Sequence, residues 1–294
     1  MFINMQNNFD WLKTSFQIKD SVLPKITIRV LLCTLFALII AFLQFRGYQL
    51  SVPILANIIP SVLIGLLLVF RTNTANDRFW EGRKLWGDIN NGIRNLSRHI
   101  WIMHTDKESI LDKKEFLELL WLFALLVKNN LRSNTEKPLL NTELQYISRD
   151  NKNRIEAGYN LPVVAATILQ EKLMNYKASR HLDMYETADA QKLLDTLINA
   201  LGGCERIQKT PIPKSYSIHL KQIVLLYCFT LPFQFVGSLG WLSIPAVMVI
   251  SYAVMGIEEL GAEIENPFGT DRSDLPLDDI CAGIKHNLDD LVKM

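Results

Sequence analysis

Three stretches of this chain hold residues whose type and spacing could do chemistry. The first is Ile257 to Asp279, IEELGAEIENPFGTDRSDLPLDD, whose carboxylates and amide oxygens are hard ligands of the kind Ca²⁺ takes. Arg272 sits inside the run and EF-hand spacing is absent, so composition favours a solvated, salt-bridged surface. The second is Val62, Leu66 and Phe70, spaced by four and so on one face if the stretch is helical. Rings of such residues around a pore pass ions when wet and block them when dry. The surrounding segment is apolar all round, so spacing by itself favours packing or lipid contact. The third is Thr210-Pro-Ile-Pro213. Its prolines fix φ and bar helix continuation, which makes a rigid turn with Ile212 between them. A narrowing of a path by Ile212 is the added functional reading.

Other chemistries lack their residues. His99 and His104 are five apart, which does not put them on one helix face, and HExxH, GxSxG, GxGxxG and P-loop motifs are absent. The enzyme classes those motifs mark are therefore disfavoured. The net charge of +1 offers no basic surface for nucleic acid. Cys33, Cys204, Cys228 and Cys281 are scattered without a CxxC pair and read as small apolar packing residues.

The elements that must position these residues are membrane helices. Val30 to Phe45 is uncharged and, with Ile26 to Arg29, approaches the ~20 residues a spanning helix needs. Ser51 to Phe70 is a second span, carrying Pro53 and Pro60. Gln222 to Ile257 has no charge, is too long for one crossing and fits two, with a break expected near Pro232 to Gly240. The links Arg46–Leu50 and Phe233–Trp241 carry a single Arg. The opposite span ends carry Lys13, Lys19, Lys25 and Arg29, then Arg71, Arg78, Arg83 and Lys84, then Lys209, Lys214 and Lys221. Positive residues mark the cytoplasmic side, so both termini and the insert are expected there. The polar, mixed-charge start, Met1 to Lys25, lacks the pattern of a signal peptide, and none is expected there. The expected organisation is a cytosolic segment 1–25, two spans in 26–70, a helical cytosolic region 71–221, two spans in 222–257 and a cytosolic segment 258–294.

The second span does not end at the membrane. From Phe70 to Arg98 the chain runs FRTNTANDRFWEGRKLWGDINNGIRNLSR, with the opposite charges of Arg78–Glu81, Glu81–Lys84 and Lys84–Asp88 at helical spacing. The expectation is one helix leaving the membrane and entering water, with the Arg78–Glu81–Arg83 and Trp80–Trp86 cluster locking neighbouring helices or subunits. Within the insert, Glu115–Asn130 has the pattern of a buried core helix. Further helices are expected near Leu161–Met174 and Thr187–Leu201, the latter stopped by Gly202 and Gly203. No strand pattern is present, and the fold class is all-α.

These blocks resemble the bestrophin family. Phe70 to Arg98 with its RFWEGRKLWG core is similar to the signature after that family's second membrane helix. Cys204-Glu-Arg-Ile through Thr210-Pro-Ile-Pro213 to Tyr216 resembles a second family block, and Ile257-Glu-Glu-Leu through Glu265-Asn-Pro-Phe-Gly269 to Asp274-Leu-Pro-Leu277 a third. They occur in the family order, and the four-span layout agrees. The resemblance implies a homopentameric ion channel around a central pore. It puts Val62, Leu66 and Phe70 on the membrane neck and Ile212 on a narrow cytosolic aperture, which turns the preference for those four residues to pore lining. Animal members have an aromatic residue where this chain has Leu66, and hold Ca²⁺ in an acidic clasp after the fourth span. Asn266, Asp271 and Asp274 match clasp positions, but Thr270, Arg272 and Ser273 replace most of the acidic run, so no metal and no cofactor is assigned. Arg71 is a candidate inner-mouth charge, unless a carboxylate such as Asp77 silences it. The expectation is passage of small monovalent ions, anions such as chloride, in a bacterial plasma membrane. Its partners are other copies of the chain, lipids and the permeating ions, with no nucleic acid. The alternatives are the same channel with monovalent-cation selectivity, or a membrane-anchored scaffold or enzyme.

Overall fold

The structure, a computed structural model, describes residues 17, 21–52, 58–102, 110–132, 144–179 and 181–293. Pro53, His104 and nearly all of the segment before Ser21 lie outside them. The described residues form helices and connecting turns with no strand. In chain order they are α1 (Leu23–Phe45), α2 (Ile58–Ile102), α3 (Ile110–Leu131), α4 (Arg149–Ala157), α5 (Leu161–Ala178), α6 (Met184–Lys209), α7 (Lys214–Leu239), α8 (Ser243–Glu263) and α9 (Leu277–Lys293). The chain divides into two compact units, Met1–Asp77 with Pro211–Glu265 and Arg78–Thr210 with Asn266–Met294, and the division falls inside α2.

In the first unit α1 packs on α7 and α8, and α7 packs on α8. Proline in the first turn of α1 presets its φ at no cost in hydrogen bonds. The buried residues of α1 recur as Ile26, Val30, Cys33, Ala37, and those of α7 as Leu220, Val224, Cys228, Leu231. That alternation of fours and threes is the spacing of one helix face. Phe36 closes the α1–α7 contact, edge-on to Phe229 at 5.1 Å. Arg29 meets Glu259 at 2.9 Å and Lys25 meets Glu263 at 3.7 Å, so α1 and α8 run antiparallel. The outward faces keep Ile28, Leu31, Leu32 and Leu35 exposed, an apolar surface suited to lipid. Three stretches among the described residues are long and apolar enough to cross a membrane: Leu23–Phe45, Ile58–Ile102 and Lys214–Glu263.

The last of these contains both α7 and α8, joined by a 3₁₀ turn at Gly240–Leu242. Pro232 does not break α7. It lies buried inside the helix, where its missing N–H forgoes one bond and its ring crowds the carbonyl four residues back without ending the helix. The break is made by Gly240 at φ 53°, a backbone shape glycine adopts readily.

In the second unit α3 is buried almost throughout Phe116–Val127 and packs against α5, α6 and α9, as expected of a core helix. Asp183 and Glu186 form a reciprocal cap that starts α6. The expected stop at Gly202 and Gly203 is not there: α6 runs through both to Lys209. Gly203 is present for packing, because a Cβ on it would stand 2.7 Å from the Leu85 side chain of α2.

An ion-paired carboxylate ties α3 to the turn before α4. Glu115 accepts the Ser148 amide at 2.9 Å and Asn151 Nδ2 at 3.0 Å, and pairs with Lys172 at 2.8 Å. Burial pushes its pKa up, but these donors outweigh burial and hold it below the ordinary glutamate value of 4.5. A depressed folded-state pKa gives stability that is complete above the unfolded value and is lost as pH falls through the folded one. Glu115→Gln is therefore expected to cost about 2 kcal/mol at neutral pH and to flatten the fall in melting temperature below pH 5. Melting curves in detergent across pH 3–7 check this; a variant with the parent's acid limb would assign that limb to other groups.

Candidate functional site

The sequence-derived site residues gather on and beside α2. The helix has a buried stripe, Ile64, Leu68, Arg71, Ala75, Gly82, Trp86, Ile89 and Ile93, stepping by fours and threes or by a whole seven. Two residues before Ile64, Leu68, Arg71, Ala75, Gly82 and Trp86 runs a second stripe, Val62, Leu66, Val69, Asn73, Trp80 and Lys84, with Phe70 and Asp77 on its flank, all exposed. Two residues are about 200° of helix, so the stripes lie on opposite sides. Val62, Leu66 and Phe70 are 60%, 52% and 57% exposed, whereas Ile64 and Leu68 are 4% and 3%. The chain covers one side of this helix and leaves the other open. The open stripe is apolar through Phe70 and then polar.

Arg71 does not belong to the open stripe. Its side chain is 2% exposed, with Nη1 donating to Ser217 Oγ at 3.0 Å and Nη2 facing Glu265 at 3.4 Å and Glu258 at 3.9 Å. Gly261 lies beside it, and a Cβ there would stand 3.5 Å from Nε, an ordinary contact. The candidate inner-mouth charge is thus turned inward, and Glu258 and Glu265 neutralise it in place of Asp77. The reason is position on the helix: one residue past Phe70, the side chain swings about 100° away from the open stripe.

Ile212 is half-buried in the turn before α7. Its amide donates to Glu265 Oε1 at 3.1 Å, and Tyr216 Oη reaches the Leu67 carbonyl at 3.4 Å. The expected charge pairs along α2 give way to bonds to α6. Arg78 donates to the Thr210 and Ile207 carbonyls at 2.6 and 2.7 Å, which satisfies acceptors that the end of α6 leaves open. Glu81 pairs with Arg206 at 2.6 Å. With His99 against the Glu186 carbonyl, these contacts set α2 and α6 antiparallel. Trp86 is fully buried and Trp80 is exposed.

Two motif blocks meet in the second unit. Gly82 of RFWEGRKLWG lies under Phe268 of ENPFG, and a Cβ on it would stand 3.1 Å from the Phe268 ring and from Pro267. Nearby, the Asp274 carboxylate accepts the Asp271 amide at 2.7 Å, and Asn266 Nδ2 and Asp274 Oδ2 both lie close to Gly269. The clasp positions thus share one turn. Among the described residues no group of three or more His, Cys, Asp or Glu side chains is arranged to hold a metal ion.

The acidic block does more than the sequence reading allowed. Glu258, Glu259, Glu263 and Glu265 take Arg71, Arg29, Lys25 and the Ile212 amide. The available signal was the basic residues Lys25, Arg29 and Arg71 at the ends of the first two spans. That count says charges balance; it does not say which pair is buried.

These features define an all-helical integral membrane protein built like a channel rather than an enzyme. The chain belongs to the bestrophin family, since the family model for bacterial and fungal bestrophin proteins matches residues 1–290. A voltage-dependent anion channel-forming protein of Nostoc sp. is 45% identical over 97% of this chain and 92% of its own length. One of the same description from Escherichia coli K12 is 31% identical over 95% and 90%. A crystal structure of a bacterial bestrophin homologue from Klebsiella pneumoniae is similar with a TM-score of 0.83 at 27% identity, over 92% of this chain and 99% of that one.

Proposed function

We propose that the chain is one subunit of a homopentameric channel that passes small monovalent anions such as chloride across a bacterial plasma membrane. The observation that carries this reading is the open face of α2. Apolar exposure alone suits lipid equally well. A helix that leaves the membrane is polar past Phe70 in either case, so what favours a water-filled path is membership of the bestrophin family and relatives described as anion channel-forming. Copies arranged around an axis would bring the apolar half together as a neck and the polar half as its wider continuation.

Four crossings fit the helices. α1, α7 and α8 have 23, 26 and 21 residues, and the start of α2 supplies the fourth. The first three are long enough at about 1.5 Å per residue for a hydrocarbon core, and α2 is uncharged from Ile58 to Phe70. Lys25, Arg29, Arg71, Lys214 and Lys221 lie at one set of ends against Arg46 at the other, which supports cytoplasmic termini. Ile212 would narrow the cytosolic part of the path. Apolar rings set no sign of charge and Arg71 is compensated, so the anion reading rests on what the relatives are described as forming.

Changing Val62, Leu66 and Phe70 together to Ala is expected to raise unitary conductance several-fold and shorten closures, because a wider neck stays wet. All three are exposed, so the subunit should fold; unchanged currents would remove the neck from these positions. The test of function is the reversal potential of purified protein in a planar bilayer under a KCl gradient. A shift toward the chloride equilibrium potential supports the proposal, and a shift toward potassium reverses its selectivity. A monomer without current would return the scaffold reading.

A further inference from the structure

We infer that Glu265 is the residue that positions the aperture, by holding the Ile212 backbone at a point fixed to the base of the neck. This rests on the proposed role of Ile212 and adds how that residue is held. Pro211 and Pro213 carry no N–H, so Ile212 supplies the only backbone donor of the Pro-Ile-Pro turn. That donor is spent on Glu265 Oε1 at 3.1 Å. The two rings fix φ on either side, and Pro213 confines Ile212 itself to extended conformations. Little freedom remains inside the turn, and what does remain is swinging of the turn as a whole. A hydrogen bond at its middle residue is the contact best placed to stop that swing.

Glu265 is in turn fixed. It lies two residues past the end of α8, with its other oxygen 3.4 Å from Arg71 Nη2. Arg71 is buried and also held by Ser217 of α7 at 3.0 Å. Arg71 directly follows Phe70, so one carboxylate connects the residue at the narrow turn to the residue next to the last neck ring. The backbone amide needs only an acceptor oxygen, whereas the guanidinium benefits from a full charge. The two functions of the side chain can therefore be separated by substitution.

The experiment compares methanesulfonate with chloride permeability, from bi-ionic reversal potentials, in variants shown to be intact oligomers. Ile212→Ala is the reference and should raise the ratio several-fold by widening the turn. Glu265→Leu removes the acceptor and should move the ratio in the same direction. Glu265→Asp keeps the charge but withdraws the oxygen by one methylene, and should act likewise; it decides the matter if the leucine variant does not assemble. Glu265→Gln keeps an acceptor oxygen and should stay near the parent. A merely structural role would change yield and leave the ratio alone. If Ile212→Ala shifts the ratio and neither Leu nor Asp at position 265 does, the inference is overturned while the channel reading stands. A glutamine variant that behaves like leucine also overturns it. No anion current from the parent, or no effect of Ile212→Ala, removes instead the reading on which it rests.

Discussion

Replacing Arg71 by methionine should leave little stably folded protein. The guanidinium is buried against Glu258, whose own side chain is 4% exposed. Glu258 Oε1 has no hydrogen-bond partner among the described residues, so its compensation is the nearby charge. Removing Arg71 leaves Glu258 with only the more distant charges of Lys221 and Arg29 and takes a partner from Glu265 as well, and breaking such buried pairing typically costs about 3–5 kcal/mol. The single variant should therefore melt far below the parent in detergent. Replacing the pair together is a different matter, because well-packed neutral groups often match a buried ion pair. Arg71→Met with Glu258→Gln should recover most of the melting temperature. The recovered protein should also keep the parent's reversal potential, since Arg71 faces away from the open stripe. A double variant that folds but changes selectivity would put the Arg71 charge back at the mouth of the pore.

The contrast between Arg71 and its neighbours shows which features could be read from the sequence. The membrane helices were visible because apolar runs are local: the stretch from Ile26 to Phe45 lies inside α1, and the continuation from Phe70 to Arg98 lies inside α2. Buried α3 was visible for the same reason. The four-residue spacing of Val62, Leu66 and Phe70 placed them on one face, but spacing could not say whether that face was covered. Two features misled because their cause lies far along the chain. Gly202 and Gly203 carry a stop signal, yet Leu85 needs Gly203 bare inside a continuing helix. Arg71 is one residue from the open stripe, and its burial depends on Ser217, Glu258 and Glu265. Helix signals act over a few residues, while burial is decided by which distant segment arrives.

The same lesson gives the second large effect, where Gly82 meets Phe268. Phe268 is fully buried, and its ring and Pro267 both lie 3.1 Å from where a Cβ on Gly82 would be. Neither group is a flexible chain end that could move aside. Phe268→Ala should cost about 3–5 kcal/mol through lost burial and the cavity left behind. Gly82→Val adds atoms where rigid rings already stand, and should cost about 1–3 kcal/mol through strain. The combination should cost less than the sum, because the valine methyls enter the space the ring vacates and the ring is no longer there to be strained. Unfolding midpoints of the four proteins measure that coupling. Additive losses would mean the two residues are independent, and the contact between the two motif blocks would then not be what requires a glycine at position 82. Sub-additive losses would show that Gly82 is bare because Phe268 is large, which ties the residue type in one block to the residue type in the other.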